Sequence, residues 1–224
     1  MVRIRSFLLL LALATLTACA SRVDQTPYPV DRTLEQGTEI RRDFVDSFLQ
    51  GKWCEAEALY RASIENAVRR DDFCEAARTA RLLARLRAYV GQDAPHAAQA
   101  AQEYLRAAIT CPQYDELPKQ DKAYAALLEA GDYPGLARAL GTERDSLYAS
   151  VYARKGARQA MQEGRNSDAL ALVETARAVD ARQGWVTFLR EDWSLRHELE
   201  DDQQTRQAIR ERIEIIEQRI EPCP

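Results

Sequence analysis

Histidine and methionine each occur only twice in the 224 residues, glycine nine times, and lysine four times, at positions 52, 119, 122 and 155. Each scarcity excludes a class of chemistry. His96 and His197 are far apart, and neither has a Cys, Ser or Asp beside it in a nucleophile pattern. The glycines never gather into a phosphate-cradling loop. The five cysteines form no C-x-x-C and no H-x₃-H accompanies them, so the common zinc spacings are missing. The acidic residues are scattered over helical patterns rather than paired in a loop. These absences point away from an enzyme, and no cofactor or metal is expected. Runs that alternate apolar and β-branched residues with polar ones are also missing, which argues against a sheet. The apolar run Phe7–Leu13 falls well short of the roughly 20 residues a membrane span needs. With 31 basic and 35 acidic residues the formal charge is −4, whereas a nucleic-acid binder would normally be basic. The rarity of Lys beside abundant Ala fits a GC-rich genome and carries no functional reading.

What is present begins at the first residues. "MVRIRSFLLLLALATLTA", 1–18, pairs the positive charges of Arg3 and Arg5 with a short apolar run, the pattern of a secretory signal. Leu16-Thr17-Ala18-Cys19 then resembles the lipobox of bacterial lipoproteins. That resemblance covers the first nineteen residues only. It implies that Cys19 becomes the acylated first residue of the mature protein, carrying palmitate-type chains. Ala20, rather than Asp, after the cysteine implies sorting to the outer membrane, with the protein facing the periplasm. The other reading is an ordinary signal cleaved before an unmodified cysteine. One acyl chain binds a membrane marginally and two or more bind it stably, at ~0.8 kcal/mol per buried CH₂. The expected mature chain, 19–224, has 206 residues, and loss of Arg3 and Arg5 leaves 29 basic against 35 acidic residues, a charge of −6. Its first part, 19–32, contains Pro27 and Pro29 and no periodic pattern. It reads as a tether on the order of 40 Å long at ~3.3 Å per residue.

From residue 33 the period is helical, and the expected fold class is all-α. Thr33 and Gln36 have the spacing of a capping box ahead of an Ile40-Phe44-Phe48-Leu49 stripe that Gly51 ends. A second helix is expected to bury Trp53, Ala56, Tyr60, Ile64, Ala67 and Val68. A third, capped by Asp72 with Glu75, buries Phe73, Ala76, Ala80, Leu83 and Leu86 up to Gly91. A fourth opens at Asp93 and Pro95 and runs through Tyr104, Leu105 and Ile109 to Cys111-Pro112. Shorter helices surround Gly131 and Gly141, longer ones span about 143–163 and 167–181, and a last pattern runs from Trp185 to Ile220. The spacing of Gly164, Ala169, Val173 and Ala176, repeated in Gly51, Ala56, Tyr60 and Ser63, resembles the tetratricopeptide repeat. Residues 129–140 start a similar phrase 33 residues ahead of the Gly164 one. Phe44, where that family has a small residue, departs from the pattern. The resemblance implies a helical-hairpin array over 33–184, with a generic Ala-rich bundle as the alternative. A long C-terminal helix and tail, 185–224, follows; its middle, "RHELEDDQQTRQ", has one apolar residue, so the helix either breaks there or projects into solvent.

"GKWCEAEALY", 51–60, is echoed by "RDDFCEAART", 70–79: an aromatic, Cys, Glu and Ala line up one to one. If Cys19 is acylated, Cys54, Cys74, Cys111 and Cys223 remain, an even number that fits two disulfides in an oxidising compartment. Cys54 and Cys74 start successive helices of about 16 residues, which at ~1.5 Å per residue sets them ~25 Å apart, too far to bond. Cys111 ends the helix that returns to Cys74. Cys74–Cys111 is therefore favoured, which leaves Cys54 for Cys223.

Three stretches are candidate contact surfaces. Arg78, Arg81 and Arg85 lie along one helix face, and residues 61–87 hold seven Arg against four acids. They read either as a contact for anionic lipid or polysaccharide or as a solvated face. Tyr148 and Tyr152, with Arg144 one turn earlier, belong to the first helix of the Gly164 hairpin, which lines the concave face in helical-repeat arrays. They are either groove anchors or core. Ile209, Ile213, Ile216 and Ile220 form a short seam that either zips two copies together or caps the protein's own helices. The expectation is an outer-membrane-anchored scaffold or assembly factor that touches the membrane through its acyl chains, takes envelope proteins as partners and binds no nucleic acid. A lipoprotein that self-associates through its last helix is the alternative.

Overall fold

The structure is a computed structural model and describes residues 36–112, 114, 119–221 and 223. The signal sequence 1–18, Cys19 and the tether through residue 32 lie outside the described residues. Among the described residues there are ten α-helices and no strand. They are α1 (Gly37–Leu49), α2 (Trp53–Arg69), α3 (Phe73–Tyr89), α4 (Pro95–Ala107), α5 (Lys119–Glu129), α6 (Tyr133–Leu140), α7 (Ser146–Gln162), α8 (Asn166–Gln183), α9 (Val186–Glu198) and α10 (Gln203–Glu217). None of these helices is long and apolar enough to cross a membrane.

One turn is used repeatedly. Gly51, Asp71, Gly91, Gly131 and Gly164 all have positive φ, between 59° and 80°. After each, the next backbone N–H reaches back to a carbonyl five residues earlier: Lys52 to Ser47, Asp72 to Ala67, Gln92 to Arg87, Asp132 to Leu127 and Arg165 to Ala160. This left-handed cap satisfies carbonyls that a helix end leaves orphaned. After Gly51, Asp71, Gly131 and Gly164 the following helix begins two residues on. The echoed aromatic-Cys-Glu-Ala phrase is that geometry seen in sequence: Trp53 and Phe73 are each the first helical residue after the same turn.

The hairpins enclose two cores. Phe44, Phe48, Leu86, Trp185 and Phe188 belong to the first, built from α1–α4 and the start of α9. Tyr133, Leu136, Ala157, Leu172 and Val173 belong to the second, built from α5–α9. Helix α7 divides them, giving Val151 to the first and Tyr152 to the second. Close approach of α7 to its neighbours depends on Gly156, where an added Cβ would come within 2.6 Å of Leu136 and 3.0 Å of Leu172. Ala169, Val173 and Ala176, the small residues of the Gly164 phrase, are fully buried.

Several expectations need correction. Of the Thr33/Gln36 capping box, Thr33 lies outside the described residues, and Gln36 does not sit three residues into α1. Ile40 N donates to the Gln36 carbonyl, so Gln36 is itself the cap residue, and its side chain makes no capping bond. Ala67 is buried as expected, but Val68 is exposed because α2 turns Ser63 and Asn66 inward instead. Ile109 is 94% exposed at φ 58°: α4 stops at Ala107, and the chain unwinds there on its way to Cys111. Of the two readings of the C-terminal pattern, a break or a projecting helix, the structure has the break: Asp202 accepts the Thr205 N–H (2.8 Å) and starts α10 afresh. The Ile209-Ile213-Ile216-Ile220 seam is buried at Ile209 and half-buried at the other three, the pattern of a helix capping its own neighbours.

Candidate functional site

The cysteines pair at opposite ends of hairpins. Cys74 bonds to Cys111 with Cα atoms 5.3 Å apart, and Cys54 to Cys223 at 4.8 Å, inside the span a disulfide allows. Helix direction explains both: α4 returns to the start of α3, and the C-terminal tail crosses the α1–α2 turn, where Glu221 N donates to Gly51 O (2.8 Å).

The arginine stripe is not a uniform face. Arg78 donates to the Pro112 carbonyl (2.8 Å). Arg81 donates to the Tyr114 carbonyl (2.6 Å) and lies 4.7 Å over that ring. Both side chains are committed to the segment after α4. Arg85, half-buried, instead lines a cleft of about 190 Å³ between α3 and α7. Leu82, Leu86, Leu147 and Val151 form its apolar walls, and Tyr89, Tyr148, Tyr152 and Asp121 complete it.

Tyr148 and Tyr152 are thus brought to Arg85, although not as exposed anchors. Tyr152 is 4% exposed and Tyr148 half-buried. Their rings stack with centroids 6.2 Å apart, and Tyr124 tilts against Tyr152 at 5.0 Å. The Tyr148 hydroxyl donates to one Asp121 carboxylate oxygen (3.1 Å) and the Tyr152 hydroxyl to the other. Burial first, then the Asp121 charge, pushes the Tyr148 phenol up to about 12. Burial and the hydrogen bond to Asp121 raise Tyr152 further. Both hydroxyls therefore stay protonated donors. Arg144 does not join them: α7 starts only at Ser146, and Arg144 lies exposed in the preceding turn.

Lys155, one turn after Val151, was not singled out in the sequence. Its ammonium stands 4.7 Å from the Tyr152 ring and 5.3 Å from the Tyr89 ring. Burial, and then the nearby Arg85 charge, lower its proton affinity, with Asp121 acting in the opposite sense. The one signal available to sequence reading was its rarity, one of four lysines in an Arg-rich chain.

A second polar cluster, also missed, lies inside the helices. Arg154, on α7, is 1% exposed and donates to Asp192 (2.9 Å), Asp180 (2.5 Å) and Ser150 (2.9 Å), with its guanidinium 4.1 Å from the Phe188 ring. The two carboxyls, on α8 and α9, are fully buried, so this triad ties three helices together and presents nothing to solvent. His96 is exposed, and His197 is half-buried. Among the described residues no group of three or more His, Cys, Asp or Glu is arranged to hold a metal.

Comparison with protein-family models, with curated proteins and with solved structures finds no match to this chain.

Proposed function

We propose that this protein is a lipid-anchored scaffold or assembly factor of the bacterial outer membrane, facing the periplasm and binding envelope proteins through its helical surface. The observation that carries the binding role is the α3/α7 cleft, where the Arg85 guanidinium, half-buried Tyr148 and aliphatic walls meet at one open place. Tyr and Arg are the residue types that most often anchor protein interfaces. The anchor rests on Leu16-Thr17-Ala18-Cys19 and the charged, apolar leader before it. Two disulfides sit naturally with an oxidising compartment. The tetratricopeptide-like spacing of Gly164, Ala169, Val173 and Ala176 is in keeping with a helical-repeat surface.

The test is fractionation joined to crosslinking in intact cells. Wild-type protein is expected in the outer-membrane fraction with crosslinked envelope proteins, and Cys19→Ser in the soluble or unprocessed fraction. A normally processed Cys19→Ser protein that remains with the outer membrane contradicts the anchor. A second reading, self-association through the last helix, has Ile215 in its favour, 58% exposed on α10. A stable oligomer by solution mass that Ile215→Glu dissolves supports that reading over the scaffold.

A further inference from the structure

Most arginines here are already engaged. Arg177 and Arg212 lie over Trp193 at 5.2 and 4.8 Å, Arg177 also pairs with Glu174 (2.5 Å), and Arg196 pairs with Glu200 (2.7 Å). Arg154 is held by Asp180 and Asp192. The α3/α7 cleft differs. Among the described residues neither Arg85 nor Lys155 makes an ion pair. The nearest carboxylate, Asp121, is 6% exposed, and each of its oxygens already accepts a tyrosine hydroxyl. Arg85 thus lines a half-buried, mostly apolar cleft, Lys155 stands behind it against the Tyr152 and Tyr89 rings, and the one nearby carboxylate already accepts two tyrosine hydroxyls.

We infer that the α3/α7 cleft docks a single aliphatic or aromatic side chain of a protein partner while Arg85 takes the carboxylate of an Asp or Glu next to it. The inference deepens the scaffold reading and rests on it. Size selects the occupant class: sites for drug-sized molecules and cofactors run from ~300 to ~1,000 Å³, and about 190 Å³ accommodates one large side chain. The walls of Leu82, Leu86, Leu147 and Val151 match an apolar anchor. The charge selects its neighbour. A guanidinium in a partly desolvated site binds a carboxylate through two parallel N–H···O bonds. An incoming carboxylate also relieves the repulsion between Arg85 and Lys155 that lowers the proton affinity of Lys155. A bilayer surface fits less well. Binding to anionic lipid wants a broad basic face, and Arg78 and Arg81 are turned onto the Pro112 and Tyr114 carbonyls.

The experiment immobilises the full-length lipidated protein in detergent, passes a random octapeptide library over it and sequences the bound peptides by mass spectrometry. Peptides with Asp or Glu adjacent to Leu, Ile, Val, Phe, Tyr or Trp are expected to be enriched at least about fivefold, the ratio that ~1 kcal/mol supplies. In Arg85→Ala that enrichment is expected to fall to the input level, and in Arg85→Lys to fall partway. Leu82→Glu, at a half-exposed wall position, should abolish the apolar preference, and thermal midpoints within a few degrees of wild type certify that each variant folds. Absence of acidic–apolar enrichment on wild type, or its persistence in Arg85→Ala, overturns the inference. So does Arg85-dependent binding to phosphatidylglycerol-containing vesicles without peptide enrichment. Crosslinking in cells separates this from the scaffold reading. Partners retained by both wild type and Arg85→Ala keep the scaffold and remove the cleft, whereas a wild type that crosslinks to nothing removes the scaffold whatever the peptides do.

Discussion

A guanidinium flanked by two carboxyls in a space closed to water has a charge problem. With both Asp180 and Asp192 ionised, the site around Arg154 would carry a net negative charge away from solvent, which is strongly unfavourable. A retained proton removes the problem. Burial first, opposed by Arg154 and reinforced by Asp192, lifts Asp180 to about 8, and Asp192 is raised as well. In the unfolded chain an Asp titrates near ~3.9. Between those values the folded protein holds a proton that the unfolded chain has released, so this contribution to stability is complete below the unfolded pKa and is lost as pH climbs toward 8. The thermal midpoint is therefore expected to fall from pH 5 to pH 8, with a slope of at most ~1.4 kcal/mol per pH unit for one proton. Asp180→Asn, which fixes the neutral form, should flatten that slope. A wild-type midpoint that rises over the same interval refutes the shared proton. Glu143, whose pKa the Asp145 and Arg144 backbone N–H groups and Tyr124 lower, acts in the opposite sense but only in acid, below the measured range. Arg154→Met would leave two buried carboxyls without their cation and is expected to cost about 3–5 kcal/mol, read as a shifted denaturant midpoint with an unchanged slope. None of the triad was legible as a site, because its members are 26 and 38 residues from Arg154 and meet only once three helices pack. The trace they leave is a charge on an apolar stripe: Asp180 continues the fully buried series Ala169, Val173, Ala176 one turn further.

At the scale of the element, the helices announce themselves through their ends. Gly51, Gly91, Gly131 and Gly164 each sit where only a residue tolerant of positive φ can stand, and so these four helix ends are legible from glycine positions. Asp71 occupies the same place without being a glycine, at φ 59°. Aspartate reaches the left-handed region more readily than most residues yet still less easily than glycine. Asp71→Gly is expected to raise stability by roughly 0.5–1 kcal/mol, since strain relief at this angle outweighs the added freedom of the unfolded chain. An unchanged or lowered melting midpoint would mean that the Asp71 side chain contributes something beyond the turn. Where the elements were misread, tertiary demands had overridden the local pattern. Ile109 continues the apolar spacing of α4, but the chain must leave the helix to carry Cys111 to Cys74, and the side chain swings out. The stretch Glu198–Gln204 is equally acceptable to an exposed helix and to a turn, so the capping bond from Thr205 N to Asp202 decides the break, and it is visible only in three dimensions. The cleft was half legible for the same reason. Tyr148 and Tyr152 share a face by spacing, but nothing in the sequence sets Arg85 and Asp121 opposite them.

At the scale of the whole described unit, the C-terminal tail is fastened to the turn between α1 and α2. The tail residues Arg219 and Ile220 pass so close to Gly51 that a Cβ there would lie 3.2–3.3 Å from their backbone, and 2.7 Å from Val186. The same corner holds a hydrogen-bond chain from Trp53 Nε1 to Thr187 Oγ1 (3.2 Å) and from Thr187 to the Phe48 carbonyl (2.7 Å), which joins α2, α9 and α1. The bond between Cys54 and Cys223 spans 169 residues, and that between Cys74 and Cys111 spans 37. Loop-closure entropy assigns them about 5 and about 4 kcal/mol respectively, with the larger value for the longer loop. Local contacts also hold the corner of the longer bridge, through the Trp53–Thr187–Phe48 chain and the Glu221–Gly51 bond. Cys223→Ser is expected to lower the unfolding free energy of the unit by at most the entropic figure, read as a shifted denaturant midpoint. It should also loosen one region selectively: amide exchange is expected to accelerate in α10 and the tail while α3, α7 and α8 keep their protection. Cys111→Ser, by contrast, should accelerate exchange in α4 and the segment after it and leave α10 unchanged. Non-reducing peptide mapping of each variant establishes which thiol is released. Uniform loss of protection throughout the unit in Cys223→Ser would show instead that the tail is integral to one cooperative fold, with no separable C-terminal clamp.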